Sequence, residues 1–127
     1  MIYSFAISTL KSITEADRVK TDLKLTAGII HQIDILFPTG CAGLLYVAIS
    51  HGLHQLWPTN DKEYFHTDGE SISFKEFYEL ASAENVLSAY TYNLDDTYSH
   101  SVIIRLGILK KSELQGLWLP WTEESIE

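Results

Sequence analysis

The side chains with the most chemical potential in this sequence are its five histidines, His31, His51, His54, His66 and His100. His51 and His54 flank Gly52-Leu53, and His66 lies two residues before Asp68. Three imidazoles and a carboxylate are a sufficient ligand set for zinc or another transition metal. The β-sandwich metal enzymes of the cupin type pair a His-x-Asp/Glu or His-x-His on one strand with a distant histidine. His66-Thr67-Asp68 meets that pattern only loosely and reads as a polar turn. The expectation is therefore no metal site, with His51, His54 and His66 as the candidates should a metal be found.

Other chemistry is thinner still. Asn93, Asp95 and Asp96 carry oxygens suited to calcium, but a calcium site wants six to eight such ligands. Asn and Asp at this density are also ordinary turn residues, because their side chains bond to nearby backbone. Cys41 stands between glycine and alanine with no basic neighbour to favour a thiolate, so it reads as a small packed residue. There is no Gly-x-Ser-x-Gly elbow, phosphate-binding glycine loop or His-Glu-x-x-His pattern in the sequence. No catalytic residue and no cofactor is expected.

The elements that must carry these residues follow a period of two. Tyr3, Phe5 and Ile7 alternate with serine and alanine, and Val19, Thr21, Leu23 and Leu25 with charged residues. Ile29–Phe37, Leu45–Ile49, Ile72–Phe74, Val86–Tyr92 and Val102–Ile108 continue the pattern. Alternation places successive side chains on opposite faces of a pleated strand, one face buried and one wet. Ala27-Gly28 has the length of a tight hairpin. Pro38–Gly43 and Asn93–Thr97 read as further turns. The fold expected is all-β, an antiparallel β-sandwich of jelly-roll or other Greek-key topology. It would have about seven to eight strands and at most one short helix. That helix would lie near residues 75–84, where Ser73-Phe-Lys-Glu76 has capping-box spacing, although the same residues could continue a strand.

Size and charge set the function class. A chain of 127 residues forms one domain. The division expected is a β-sandwich over residues 1–110 and an aromatic tail over 111–127. A net charge of −8 argues against a role in neutralising phosphate, so no nucleic-acid partner is expected. No apolar run reaches the roughly 18–20 residues that span a bilayer, and the first residues lack signal-peptide character. The single cysteine forms no internal disulfide. Leu117, Trp118, Leu119 and Trp121 crowd the tail, and tryptophan is enriched where interfaces carry binding energy. With Trp57, these residues are the expected interface.

A further indication comes from the texture of the middle of the chain. Leu25-Thr-Ala-Gly-Ile-Ile is followed by Ile33-Asp-Ile-Leu-Phe-Pro-Thr-Gly-Cys-Ala-Gly-Leu. Next come His54-Gln-Leu-Trp-Pro-Thr-Asn, Asp68-Gly-Glu-Ser-Ile-Ser-Phe and Tyr92-Asn-Leu-Asp-Asp-Thr-Tyr-Ser-His-Ser-Val. Over residues 19–108 this resembles the small β-sandwich structural proteins of tailed phages and related viruses, of the head-decoration or tail-associated type. The resemblance implies a non-enzymatic virion component, made in the host cytoplasm. Its partners would be further copies of itself, as a homo-oligomer, and other virion proteins such as a major capsid protein.

Two other functions fit the composition. One is a carbohydrate-binding module using Trp57, Tyr64, Phe65, Tyr90, Tyr92 and Tyr98, since aromatic rings stack on sugar faces. Core or cross-strand pairing is the favoured reading of Tyr90 and Tyr92. The other is a small cupin-like metal enzyme. The period-two pattern places Ile33, Ile35, Phe37, Val47, Ile49, Val102, Ile104 and Leu106 in the core. Ile104→Asp is accordingly expected to be severely destabilising in chemical denaturation, because it buries an unpaired charge. A stable Ile104→Asp protein, or a helix-dominated far-UV spectrum, would contradict this assignment.

Overall fold

The computed structural model describes residues 1–110, so the tail with Leu117, Trp118, Leu119 and Trp121 lies outside the described residues. The described chain is all-β and antiparallel. Its strands are β1 (Ile2–Thr9), β2 (Val19–Leu36), β3 (Leu45–His51), β4 (His54–Trp57), β5 (Ser71–Asn93) and β6 (His100–Leu109). A single 3-10 turn, Glu15–Asp17, precedes β2. The strands form one six-stranded sheet in the order β1-β6-β2-β5-β3-β4.

Six strands replace the expected seven or eight because two pairs of runs fuse. Ala27-Gly28 is not a hairpin. The chain stays in one strand through it, and β2 is 18 residues long. Likewise Ser73-Phe-Lys-Glu76 caps no helix; these residues lie in the 23-residue β5, with Ser73 opposite Asp34 and Phe74 opposite Ile33. A capping box has value only at a helix start, and here the ladder to β2 uses the backbone groups a helix would need.

The two long strands bend together. The register passes from Thr26 opposite Glu84 to Gly28 opposite Leu80, so β5 holds extra residues at a bulge. Bulges sharpen local twist and redirect a strand. Before the bend, β2 pairs with the C-terminal half of β5, which also carries β3 and β4. After it, β2 is flanked by the N-terminal half of β5 and by β6, which carries β1. Leu23, Leu87, Val47 and Ile49 from the first half join Ile33, Ile35, Ile104 and Leu106 from the second in one buried cluster. One continuous sheet thus supplies both walls of the core. Phe37 and Val102 are buried with them, as the alternation requires. Each such side chain contributes roughly 1.5–3 kcal/mol on burial.

Contacts between the halves close both ends. Thr9 Oγ1 donates to Thr91 Oγ1 at 2.8 Å, and Ile13 bridges Asn93 through backbone bonds of 2.9 and 3.0 Å. At the other end Trp57 packs edge-on against Phe74 and Tyr78, with ring centroids 6.0 Å away in each case.

Gly28 sits at the bend with φ of +152°. A Cβ there would lie 2.6 Å from Ile108 Cγ2 and 2.7 Å from the Leu109 carbonyl oxygen. The glycine answers a close approach of strands, not a turn. Gly28→Ala is expected to cost about 1–3 kcal/mol in urea denaturation, since the backbone of β6 must move to admit the methyl group.

Candidate functional site

The sheet has a second, outer face. On β3, Leu45, Val47 and Ile49 enter the core, which leaves Tyr46, Ala48 and Ser50 on the other side. Their cross-strand neighbours on β5 are Tyr92, Tyr90 and Ser88. The chain after β4 returns along β3. Val47 and Phe65 exchange backbone bonds of 2.9 and 2.8 Å, so Phe65 packs on the core and Tyr64 and His66 alternate to the outer face. An aromatic group results. Tyr46 stacks on Tyr92 at 4.5 Å with rings 5° from parallel, His66 stacks on Tyr46 at 4.4 Å, and Tyr64 meets Tyr92 edge-on at 5.0 Å.

Beside this group lies a cleft of about 400 Å³. Its floor includes the small side chains of Ala48 and Ser50. Tyr90, Arg18 and Glu15 line it with Tyr64, Lys62 and Asp61, and Gln55, Gly52 and Leu53 complete the lining. Arg18 follows the 3-10 turn; its Nη1 donates to the Glu15 carbonyl at 3.0 Å and its guanidinium lies 5.6 Å from the Tyr90 ring centre. The Gln55 amide donates to the carbonyls of Pro58, Asn60 and Glu63 at 2.8, 3.3 and 3.0 Å, fastening the loop that carries Asp61 and Lys62. Burial, reinforced by the negative charge of Glu15, raises the Tyr64 hydroxyl above its ordinary pKa. The same two causes push Tyr92 up to about 12. Both phenols therefore stay protonated and neutral at physiological pH.

The candidate metal ligands do not converge. His51 Nδ1 lies 2.6 Å from the Tyr78 hydroxyl on the core side of the sheet, whereas His66 stacks on Tyr46 on the outer face. His54 pairs with His51 across the β3–β4 hairpin and is exposed. No group of three or more potential metal ligands is found among the described residues.

Asp68 is turned elsewhere: its Oδ1 accepts the N–H groups of Gly40 at 2.8 Å and Ala42 at 3.1 Å. Nearby Cys41 is fully buried and its thiol donates to the Thr67 carbonyl at 3.0 Å. Asn93, Asp95 and Asp96 serve the turn before β6. Asn93 Oδ1 accepts from Asp95 N–H, and Asp95 Oδ1 from Thr97 and Tyr98. Asp95 Oδ2 is 2.7 Å from His100 Nε2, and this contact lowers the Asp95 pKa.

Trp57, expected at an interface, is instead 3% exposed, with its indole N–H donating to Glu76 at 3.1 Å. Its ring belongs to the core and is not offered to a partner. Phe65 is likewise committed to the core, Tyr92 is buried in the cross-strand stack, and Tyr98 is exposed away from the cleft lining. Of the aromatic residues considered for sugar binding, the cleft brings together Tyr64 and Tyr90. Arg18, Glu15, Ala48 and Ser50 were not legible as site residues, since distant segments deliver them. The only signal for them was the alternation of β3, which put two small residues beside Tyr46 on one face.

No family model matches the chain, and no curated protein matches it. Among solved structures, the crystal structure of FeII HppE is similar over 84% of this chain, at 8% sequence identity and a TM-score of 0.42. The chain spans 43% of that protein's length. A likeness this distant transfers no activity.

The Asp68 latch has a pH signature. Backbone N–H groups of Ala42 and Gly40 stabilise its carboxylate and hold its pKa below the ordinary value. Its stabilisation is thus fully present above the unfolded-state pKa and is lost as pH falls through the lower folded value. Asp68→Ala is expected to lower the urea midpoint at about pH 7, with the gap to the parent protein narrowing towards about pH 3. A gap independent of pH would rule out the charged latch.

Proposed function

We propose that this chain is a non-enzymatic structural protein, a building block of a phage or virus particle in the manner of a head-decoration or tail-associated subunit. It acts through contacts with other copies of itself and with other particle proteins, such as a major capsid protein. The observation that carries this reading is the outer edge of β1. β1 is an end strand, and no other strand among the described residues pairs with its far side. Its sequence, Ile2-Tyr-Ser-Phe-Ala-Ile-Ser-Thr9, contains no charged residue and no proline.

The alternation of the ladder fixes which groups are offered. Met1 and Ile108 exchange two bonds, of 2.8 and 2.7 Å. Tyr3, Phe5, Ile7 and Thr9 therefore turn their backbone groups to β6, while Ile2, Ser4, Ala6 and Ser8 turn theirs to the open edge. Ile2 and the following Leu10 are 74% and 69% exposed. Edge strands are usually blunted by lysine, proline or a bulge, because an open edge is a template for another strand. β1 itself has no lysine, proline or bulge among the described residues. In a chain of net charge −8, two copies repel least where neither carries charge, and an antiparallel β1–β1 pair about a two-fold axis is self-complementary. The resemblance of residues 19–108 to small virion proteins supplies the particle context.

Light scattering after size exclusion is expected to show concentration-dependent self-association. Ser4→Lys with Ala6→Lys, both at exposed positions, should weaken it by roughly tenfold or more without lowering the melting temperature. A parent protein that stays monomeric at every concentration sinks the reading. Capsid, portal and terminase genes beside this one would support the particle role, and a neighbourhood of metabolic genes would remove it.

A further inference from the structure

We infer that the outer-face cleft between Tyr64 and Tyr90 is a binding site for a neutral carbohydrate, of mono- or disaccharide size. This goes beyond the assembly role and does not depend on it, since the β1 edge lines no part of the cleft.

The shape is the first argument. A volume of about 400 Å³ falls in the range of small-ligand sites, roughly 300–1,000 Å³. Ala48 and Ser50 are short where their neighbours Tyr46, Tyr90 and Tyr92 are long, so the sheet itself forms a depression bounded by rings. Tyr64 and Tyr90 are both half-buried, which leaves part of each side chain open to the solvent. A sugar ring presents C–H groups that pack on such aromatic surfaces, while its hydroxyls reach the rim.

Charge selects the class. Glu15 and Asp61 oppose Arg18 and Lys62, so the formal charges of the lining cancel. Such a rim gives neither an anion nor a cation a net attraction. It does offer carboxylate acceptors and cationic donors side by side, with the Ser50 hydroxyl and a Tyr64 hydroxyl that donates to Glu15 and can still accept. A hydroxyl group also does both, and a neutral polyol uses the whole set. An anionic ligand would further meet the protein's overall charge of −8.

Pre-organisation is the third argument. The Gln55 amide ties the Asp61–Lys62 loop at three carbonyls. The Val47–Phe65 bridge fixes the segment carrying Tyr64, and Tyr92 backs the Tyr64 ring. Arg18 is bonded to the Glu15 carbonyl and lies over one face of the Tyr90 ring, leaving the ring's edge and the Tyr64 ring for the sugar. Side chains already held in place lose little freedom on binding.

The test is a glycan array carrying neutral, sialylated and sulfated saccharides, followed by calorimetric titration of the best neutral hit. Neutral saccharides should bind, and Tyr90→Ala should weaken the hit by roughly tenfold or more. Asp61→Ala, on an exposed rim residue, should weaken it several-fold with an unchanged melting temperature. The Ser4→Lys/Ala6→Lys protein should bind as the parent does, which separates this site from the assembly edge. NMR should place the shifts on the Tyr64 and Tyr90 ring protons. The inference is overturned if no neutral saccharide binds at millimolar concentration, if only acidic saccharides bind, or if folded Tyr90→Ala and Asp61→Ala proteins both bind as the parent does.

Discussion

The approach of β2 to β6 at Gly28 is the constraint on which the remaining architecture depends. With no Cβ at that point, the Ile108 side chain and the Leu109 carbonyl come within a distance that any other residue would forbid. The register step opposite it in β5 lets both long strands bend at one level. Because they bend together, a single hydrogen-bonded sheet supplies both walls of a core that would otherwise need two sheets. Strand ends then meet across the core, at Thr9 and Thr91 on one side and at Trp57 and Phe74 on the other.

The same bend explains why the outer face is available for function. Since the core consumes one face of β3 and of the C-terminal half of β5, the residues between the core positions are left outside. The Val47–Phe65 bridge then extends that face by a further segment, adding Tyr64 and His66. Position in the ladder, and not side-chain type, decides that Phe65 is core while Tyr64 lines a cleft. Trp57 illustrates the same rule, being expected at an interface from sequence and buried in the core of the fold.

Much of the fold was legible because alternation reports burial directly. Ile33, Ile35, Val47, Ile49, Val102, Ile104 and Leu106 were placed in the core by period alone, and all are fully buried. Alternation says nothing about whether a glycine marks a turn or a close approach, since both ask for a missing Cβ. The fusion of residues 19–36 into one strand was hidden for that reason. Likewise, the Ser73–Glu76 spacing is a local signal overridden by pairing with β2, a contact some forty residues away in sequence. The cleft was the least legible feature. Glu15, Ala48 and Tyr90 belong to three separate segments, and spacing along the chain carries no trace of their meeting.

Pairing of β1 with β6 has a consequence for how the chain is made. Ile2 finds its partner at Gly107, so the two are roughly a hundred residues apart. During synthesis β1 emerges before the other described strands of the sheet, and β6 after them. Until then β1 is open on both edges, not one, and it carries no charge of its own. An uncharged strand thus waits unpaired until β6 arrives, and closing so large a loop is slow. The net negative charge of the remaining chain is the counterweight, keeping neighbouring nascent chains at a distance while the last strand is awaited.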